Sequence, residues 1–347
     1  MSYQLPDPAQ GLDLPFDTVI DVRAPSEYAE DHIPGAISLP VFSDAERAKV
    51  GTIYTQQSPF LARKVGAAIL ARNVAAHLEG PLADMDGAWQ PLVYCWRGGQ
   101  RSGGMSTILA QIGWRVQKLE GGYQTYRRGV VKALYEAELP HRVVLLDGYT
   151  GTAKTDLLAL VAERGGQVLD LEGLANHRGS LLGNMGPQPA QKGFETAVLA
   201  RLAQLDPSKP VLVEAESSKI GEVLVPPSLW KRMIAAPRLT VSAPLEDRAR
   251  YLARLYAELA ADTEALNGLL AMLTRLHGRE VIEGWQALAE AGEVETLAAA
   301  LCTQHYDPRY GKSRDRLTEP AAALDIRLDS DGLNRAADRL VQALTGL

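Results

Sequence analysis

Up to about residue 243, short apolar runs alternate with stretches whose apolar residues recur at three- and four-residue spacing. DTVIDVR (17–23) predicts a strand, residues 44–79 predict helix with a break at Ser58-Pro59, and PLVYC (91–95) predicts a second strand. SGGMSTILAQIGW predicts a helix, RVQKLEGGY a strand and turn, and QTYRRGVVKALYEAEL a closing helix. Near Pro140 the pattern restarts: HRVVLLDGYTGTAKTDLLALVAERG reads as strand, glycine loop and helix. GQVLDLEG, KPVLVEAES and PRLTVSA follow as strands, with a helix in QPAQKGFETAVLARLAQLD. From Pro244 the spacing is helical. The expected fold is α/β, with a parallel-sheet domain over 1–137, a second α/β domain over 138–243 and a mainly helical region over 244–347. No internal repeat or low-complexity tract interrupts this pattern.

Composition narrows the function classes. There are 36 Lys and Arg against 42 Asp and Glu, a net charge of −6, which excludes a dominating nucleic-acid surface but permits local basic patches. With 2 cysteines, Cys95 and Cys302, the chain has neither a disulfide framework nor a Cys-rich zinc site, which suits a reducing cytosol. Cys302, at helical spacing in AAALCTQHY, is expected in the core. The N-terminus lacks a basic segment followed by an apolar core, and no apolar stretch approaches the ~18 residues of a membrane span. A cytoplasmic protein without a membrane partner is expected.

YCWRGGQRSGG (94–104) places Cys95 between a strand end and a helix start. Backbone amides, a helix N-terminus and arginines favour a thiolate there. Gly98 and Gly99 let amides point inward, Arg97 and Arg101 can bind an anion, and Ser102 opens the helix. Sulfur transfer, phosphate-ester cleavage and a buried thiol all remain open from the loop alone. The upstream DVRAPSEYAEDHIPGAISLP, together with this loop, resembles rhodanese domains over roughly residues 14–137. The resemblance implies that Cys95 carries sulfur or selenium as a persulfide-type adduct; Asp21, Arg23 and His32 are expected to be structural. Arg101 lies six residues after Cys95, a C-x5-R spacing shared with cysteine phosphatases and long enough for a tetrahedral oxyanion.

The second loop comprises Gly148, Tyr149, Thr150, Gly151, Thr152, Ala153, Lys154 and Thr155. It follows an apolar strand and nearly matches G-x-x-x-x-G-K-[ST], in which amides and lysine cradle phosphates and the hydroxyl can meet Mg²⁺. Ala153 replaces the glycine before the lysine, which argues against ordinary ATP hydrolysis. Glu214 and Glu216, after another strand, are candidates to hold Mg²⁺ or act in acid–base chemistry. His177 and Arg178, in LEGLANHRGS, form a candidate substrate loop.

Taken in order, YCWRGGQRSGG, DGYTGTAKT, DLEGLANHRGS, VEAESSKIG and HYDPRY resemble the bacterial tRNA 2-selenouridine synthases over nearly the whole chain. Ala153 stands where that family usually has glycine. The resemblance implies replacement of sulfur by selenium at C2 of wobble 2-thiouridine in tRNA, with selenophosphate as donor. It further implies an S-geranyl intermediate made from geranyl diphosphate, and a selenophosphate-producing enzyme as a partner. Candidate tRNA contacts are Arg248, Arg250 and Arg254, and Tyr306, Arg309, Tyr310, Lys312, Arg314 and Arg316, the tyrosines being able to stack on unpaired bases. The rival readings are a P-loop kinase or NTPase with a regulatory rhodanese domain, a cysteine phosphatase, and a non-catalytic tRNA-binding adaptor.

Overall fold

In the computed structural model, which describes every residue except 181, 182, 184, 216, 310–319 and 347, the chain divides into two units. The first contains Met1–Leu139, Pro189–Gln204 and Pro226–Ser228. Its strands β1 (Ser2–Tyr3), β2 (Thr18–Asp21), β3 (Ile37–Ser38), β4 (Pro91–Tyr94) and β5 (Gln117–Leu119) form a parallel sheet in the order β1-β5-β4-β2-β3. Helices cover both faces, so β2 and β4 read as continuous apolar runs instead of alternating ones. Ile20 and Val93 pack in one core with Ile69, Leu70, Met105 and Leu109. The break expected at Ser58-Pro59 separates two helices, Asp44–Gln56 and Pro59–Glu79. Ser43 and Glu46 cap the first reciprocally, while the Ser58 hydroxyl accepts the Leu61 amide and Pro59 begins the second.

The helix Gln191–Leu202 belongs to this first unit although the chain has by then passed through two strands of the second. Its buried Glu195 meets Arg127 and Tyr135, Thr196 meets Tyr126, and Lys192 pairs with Glu30 at 2.7 Å. Sequence order alone does not show this return, because nothing in the local pattern says which sheet an apolar helix face will cover.

The second unit is built on β6 (Arg142–Gly148), β7 (Gln167–Leu169), β8 (Pro210–Glu214), β11 (Arg238–Ser242) and β12 (Ala322–Asp325), parallel in the order β12-β11-β6-β8-β7. A small hairpin, β9 (Lys219–Ile220) and β10 (Val223–Leu224), stands apart from it. The region after Pro244 is helical as expected except for β12, which adds an edge strand beside β11, pairing Leu239 with Ala322 and Val241 with Leu324. The final helix Ser330–Thr345 then covers the sheet, Leu340 and Leu344 sharing a core with Leu157 and Val161. A separate apolar cluster of Leu266, Leu270, Ile282, Trp285, Leu297 and Leu301 organises the helices between. Among the described residues no helix is long and apolar enough to cross a membrane.

Strand order positions the functional loops. In each sheet successive connections leave in opposite directions, between β2 and β4 in the first and beside β6 in the second, and a crevice opens at the carboxyl ends of the strands there. Cys95 follows β4, and the loop 149–153 follows β6.

Candidate active sites

The Cys95 thiol is buried, 3.2 Å from the Ser102 hydroxyl, which in turn reaches the Gly99 carbonyl. The loop leads directly into the helix Gln100–Ile112, whose first amides have no partner within the helix. Gly98 has a φ of 67°, and a Cβ there would stand 2.9 Å from the Leu119 carbonyl oxygen; only glycine lets the loop close against β5. The Cys95 carbonyl accepts the Tyr123 amide at 2.9 Å, fastening the loop from the other side.

The two arginines of this loop separate. Arg97 is exposed. Arg101, expected to bind an anion, instead directs its guanidinium at Glu27, with Nη1 2.6 Å from Oε2. Glu27 also accepts from Arg47 and from the Ala24 amide. Burial alone would raise the Glu27 carboxyl, but the Arg101 bond and charge prevail and hold it below the usual carboxylate range. Arg101 thus stiffens the start of the helix. Asp21 and Arg23 are buried against each other at 2.7 Å; Arg23 also donates to the Asp31 carbonyl and lies over the Tyr123 ring at 3.9 Å. His32 bonds the Tyr28 carbonyl at 3.0 Å and stacks on its ring. These three residues hold the sheet end together.

In the second unit Gly148 ends β6, and Gly151 turns with φ 85°, its place of closest approach lying over Leu252. Ala153 caps the helix Lys154–Glu163 at φ 56°, ψ 36°. The Thr152 hydroxyl donates back to the Tyr149 carbonyl at 2.8 Å, and Lys154 Nζ donates to the Gly148 carbonyl at 3.1 Å. The loop is therefore curled with its amides and lysine around one space, the arrangement that holds phosphates. Thr155 Oγ1 donates to Glu172 Oε2 at 3.3 Å, and the Glu172 amide donates to Glu214 Oε1 at 2.6 Å. Glu214 is buried with Oε2 lacking a hydrogen-bond partner. Burial and then the Asp170 charge push its carboxyl well above the usual range. Among the described residues, no group of three or more His, Cys, Asp or Glu could hold a metal ion.

A cavity of about 460 Å³ opens on this loop. Thr150, Lys154, Thr155, Glu172, Arg178 and Arg309 line it together with Leu252, Leu255, Tyr256, Leu273 and Tyr306. A narrow apolar crevice walled by Leu259, Leu266, Leu297 and Leu301 shares Thr150, Leu252, Tyr256 and Tyr306 with it. Arg178 lies 5.4 Å over the Tyr256 ring, whereas the His177 ring accepts the Gly179 amide and serves its own loop. Burial raises the Tyr251, Tyr256 and Tyr306 hydroxyls, so all three stay neutral at the cavity wall.

The basic clusters divide likewise. Arg248, expected on a tRNA-facing surface, is buried: Nε donates to the Thr150 carbonyl at 2.9 Å, and its terminal nitrogens hold Asp307 at 3.0 and 2.6 Å. It shares the buried face of the helix Leu245–Leu255 with Leu252, four residues on, and leaves Arg250 and Arg254 on the exposed face. Tyr306 belongs to the cavity wall instead of an open stacking platform. Glu216, Tyr310, Lys312, Arg314 and Arg316 lie outside the described residues. Cys302 is buried with Ala249, Leu252 and Ala298, as its spacing suggested. Sequence reasoning passed over Glu172, Tyr251, Tyr256 and His305; the available signals were an acid just after a strand and the histidine of HYDPRY.

Comparison with known proteins follows the same division. Residues 7–128 match the rhodanese-like domain family, and residues 141–278 match the family described as tRNA 2-selenouridine synthase AAA domain. Three proteins carrying the name tRNA 2-selenouridine synthase are similar over most of their length. That of Aeromonas salmonicida is 34% identical, with 89% of this chain and 92% of the relative covered. That of Cupriavidus necator is 34% identical over 86% and 88%, and that of Shewanella loihica 31% over 86% and 88%. Among solved structures, a rhodanese-related protein from Thermoplasma volcanium aligns at 21% identity and a TM-score of 0.21, over 32% of this chain and 76% of that one.

Proposed function

The chain belongs to the tRNA 2-selenouridine synthase family, and on that premise we propose that it replaces sulfur by selenium at C2 of wobble 2-thiouridine in tRNA. Selenophosphate supplies the selenium, and geranyl diphosphate first converts the thiocarbonyl sulfur into an S-geranyl leaving group. The observation that carries this reading is the cavity of about 460 Å³, whose walls combine a phosphate loop and cations with leucines and tyrosines. An aliphatic chain gains about 25 cal/mol per Å² of surface removed from water, so such walls favour a prenyl tail over a nucleoside.

In this reading Lys154, the loop amides, Arg178 and Arg309 hold the diphosphate, and their charges meet the negative charge that builds on it as the carbon–oxygen bond breaks. Magnesium accompanying the diphosphate would meet the Thr155 hydroxyl and add charge to the same oxygens. The geranyl chain lies against Leu252, Leu255, Tyr256 and Tyr306. Cys95 positions selenophosphate, the Ser102 hydroxyl meeting its sulfur and Arg97 meeting the phosphate. The donor's selenium bonds C2 as the carbon–sulfur bond breaks and geranyl thiol leaves, and water then cleaves the selenium–phosphorus bond, releasing phosphate. Arg250, Arg254 and Arg309 are the described arginines offered to the tRNA backbone.

Mass spectrometry of wobble nucleosides, after incubation with thiolated tRNA, geranyl diphosphate and selenophosphate, tests the division of labour. Cys95→Ser should accumulate S-geranyl-2-thiouridine and form no selenouridine, and Lys154→Ala should make neither. Ordinary selenium incorporation by Cys95→Ser would sink the assignment of Cys95; geranylation retained by Lys154→Ala would sink that of the loop.

A further inference from the structure

S-alkylation of a 2-thiouracil ring leaves a proton to be removed. The thiocarbonyl sulfur bonds the allylic carbon, the carbon–oxygen bond breaks with its electron pair leaving on diphosphate, and the alkylated ring carries a positive charge until N3–H departs. The geranyl-diphosphate reading, on which this inference rests, therefore calls for a base beside the allylic carbon, where the tail meets the diphosphate. The cavity's tyrosine hydroxyls are held neutral, and Glu172 is engaged by the Thr155 hydroxyl.

His305 meets the requirement. It is buried, lines the same cavity as Lys154 and Tyr306, and sits on a π-helical turn, Cys302–Tyr306, a rare widening of the helix that recurs at functional sites. Its Nδ1 lies 2.9 Å from Nε2 of the half-buried His277, whose ring is steadied by Trp285 at 5.0 Å. With Nδ1 engaged, Nε2 is the nitrogen left for a ligand in the cavity. We propose that His305 takes the N3 proton during geranyl transfer and that His277 passes it to water. His305 Nε2 accepts N3–H, the proton on its Nδ1 moves to His277 Nε2, and His277 releases its Nδ1 proton to solvent. The net change is one proton from uracil N3 to water. Burial, then Arg309 and His277, lower His305 to about 4, so the ring enters the reaction neutral, with its lone pair available.

The test is steady-state S-geranylation of thiolated tRNA by wild-type, His305→Ala and His277→Ala proteins, read by nucleoside mass spectrometry. His305→Ala should lower kcat by about 10²–10⁴-fold, with KM for geranyl diphosphate within about threefold, and added imidazole should restore part of the loss. His277→Ala should lower kcat by a smaller factor. An unchanged kcat in His305→Ala overturns the proposal. So does a loss that imidazole does not restore or that comes with failure to bind geranyl diphosphate, since either marks a structural role. If wild-type protein forms no S-geranyl product, the underlying reading falls first and this inference with it.

Discussion

Ala153 occupies left-handed backbone, where a Cβ costs about 1–2 kcal/mol. Its methyl is also buried in the core with Leu157 and Leu158, a gain of about 0.8 kcal/mol that offsets much of the strain. The loop therefore keeps its shape without the expected glycine, which a pattern match alone could not decide. Glu214 poses the opposite problem: its position after an apolar strand was legible, the upward shift of its carboxyl was not, because that comes from burial and from Asp170, which caps the helix Leu171–Ala175. A carboxyl raised in the folded state binds a proton that the unfolded chain has already lost. Its contribution to stability is therefore full below the unfolded value and is lost as pH rises through the folded one. Glu214→Gln keeps an acceptor for the Glu172 amide and abolishes the titration. In urea titrations the variant should match wild type near pH 4 and exceed it at pH 8. A wild-type protein that gains on the variant as pH rises would show that Glu214 is ionised in the fold.

At the level of elements, the helix Leu245–Leu255 fastens the phosphate loop. Gly151 packs over Leu252, and Arg248 ties the Thr150 carbonyl to Asp307, just after the π-helical turn that carries His305. The three- and four-residue spacing identified this helix, but charge counting placed Arg248 outside. A guanidinium can occupy a buried face when a carboxylate and a carbonyl satisfy it. Arg248→Met should lower stability by about 2–3 kcal/mol, the modest end for a broken ion pair because Asp307 is partly exposed. A double-mutant cycle with Asp307→Asn should give a coupling of at least about 1 kcal/mol. Additive losses would mean that the pair is incidental and that the helix holds the loop through Leu252 alone. The Cys95 loop shows the same limit of reading. Strand, loop and helix were local and legible; the pairing of Arg101 with Glu27, 74 residues away in sequence, was not.

For the whole molecule, the alternation of strands and helices announced a parallel-sheet domain and a second α/β domain, and both candidate loops fell at strand ends where it expected them. What the pattern could not announce was the chain's return. The helix Gln191–Leu202 and the strand β12 each join a sheet far from their neighbours in sequence, since apolar faces specify burial without specifying a partner. The tRNA surface is constrained by a net charge of −6, which leaves binding to local arginines. On the exposed face of the helix Leu245–Leu255, Arg250 lies 3.3 Å from Asp247 and 3.9 Å from Glu246, so part of its charge is already answered. Arg254 is exposed one turn further on, towards the end of the helix. If this face meets the phosphate backbone, Arg254→Ala should reduce the slope of log affinity against log salt by about 0.7–0.9, the release from one phosphate contact. Arg250→Ala should change it less, and Arg248→Met should leave it as in wild type, because a buried guanidinium displaces no counterion. Filter binding of thiolated tRNA over a range of salt concentrations measures all three. Equal slopes for Arg254→Ala and wild type would remove this helix from the tRNA surface.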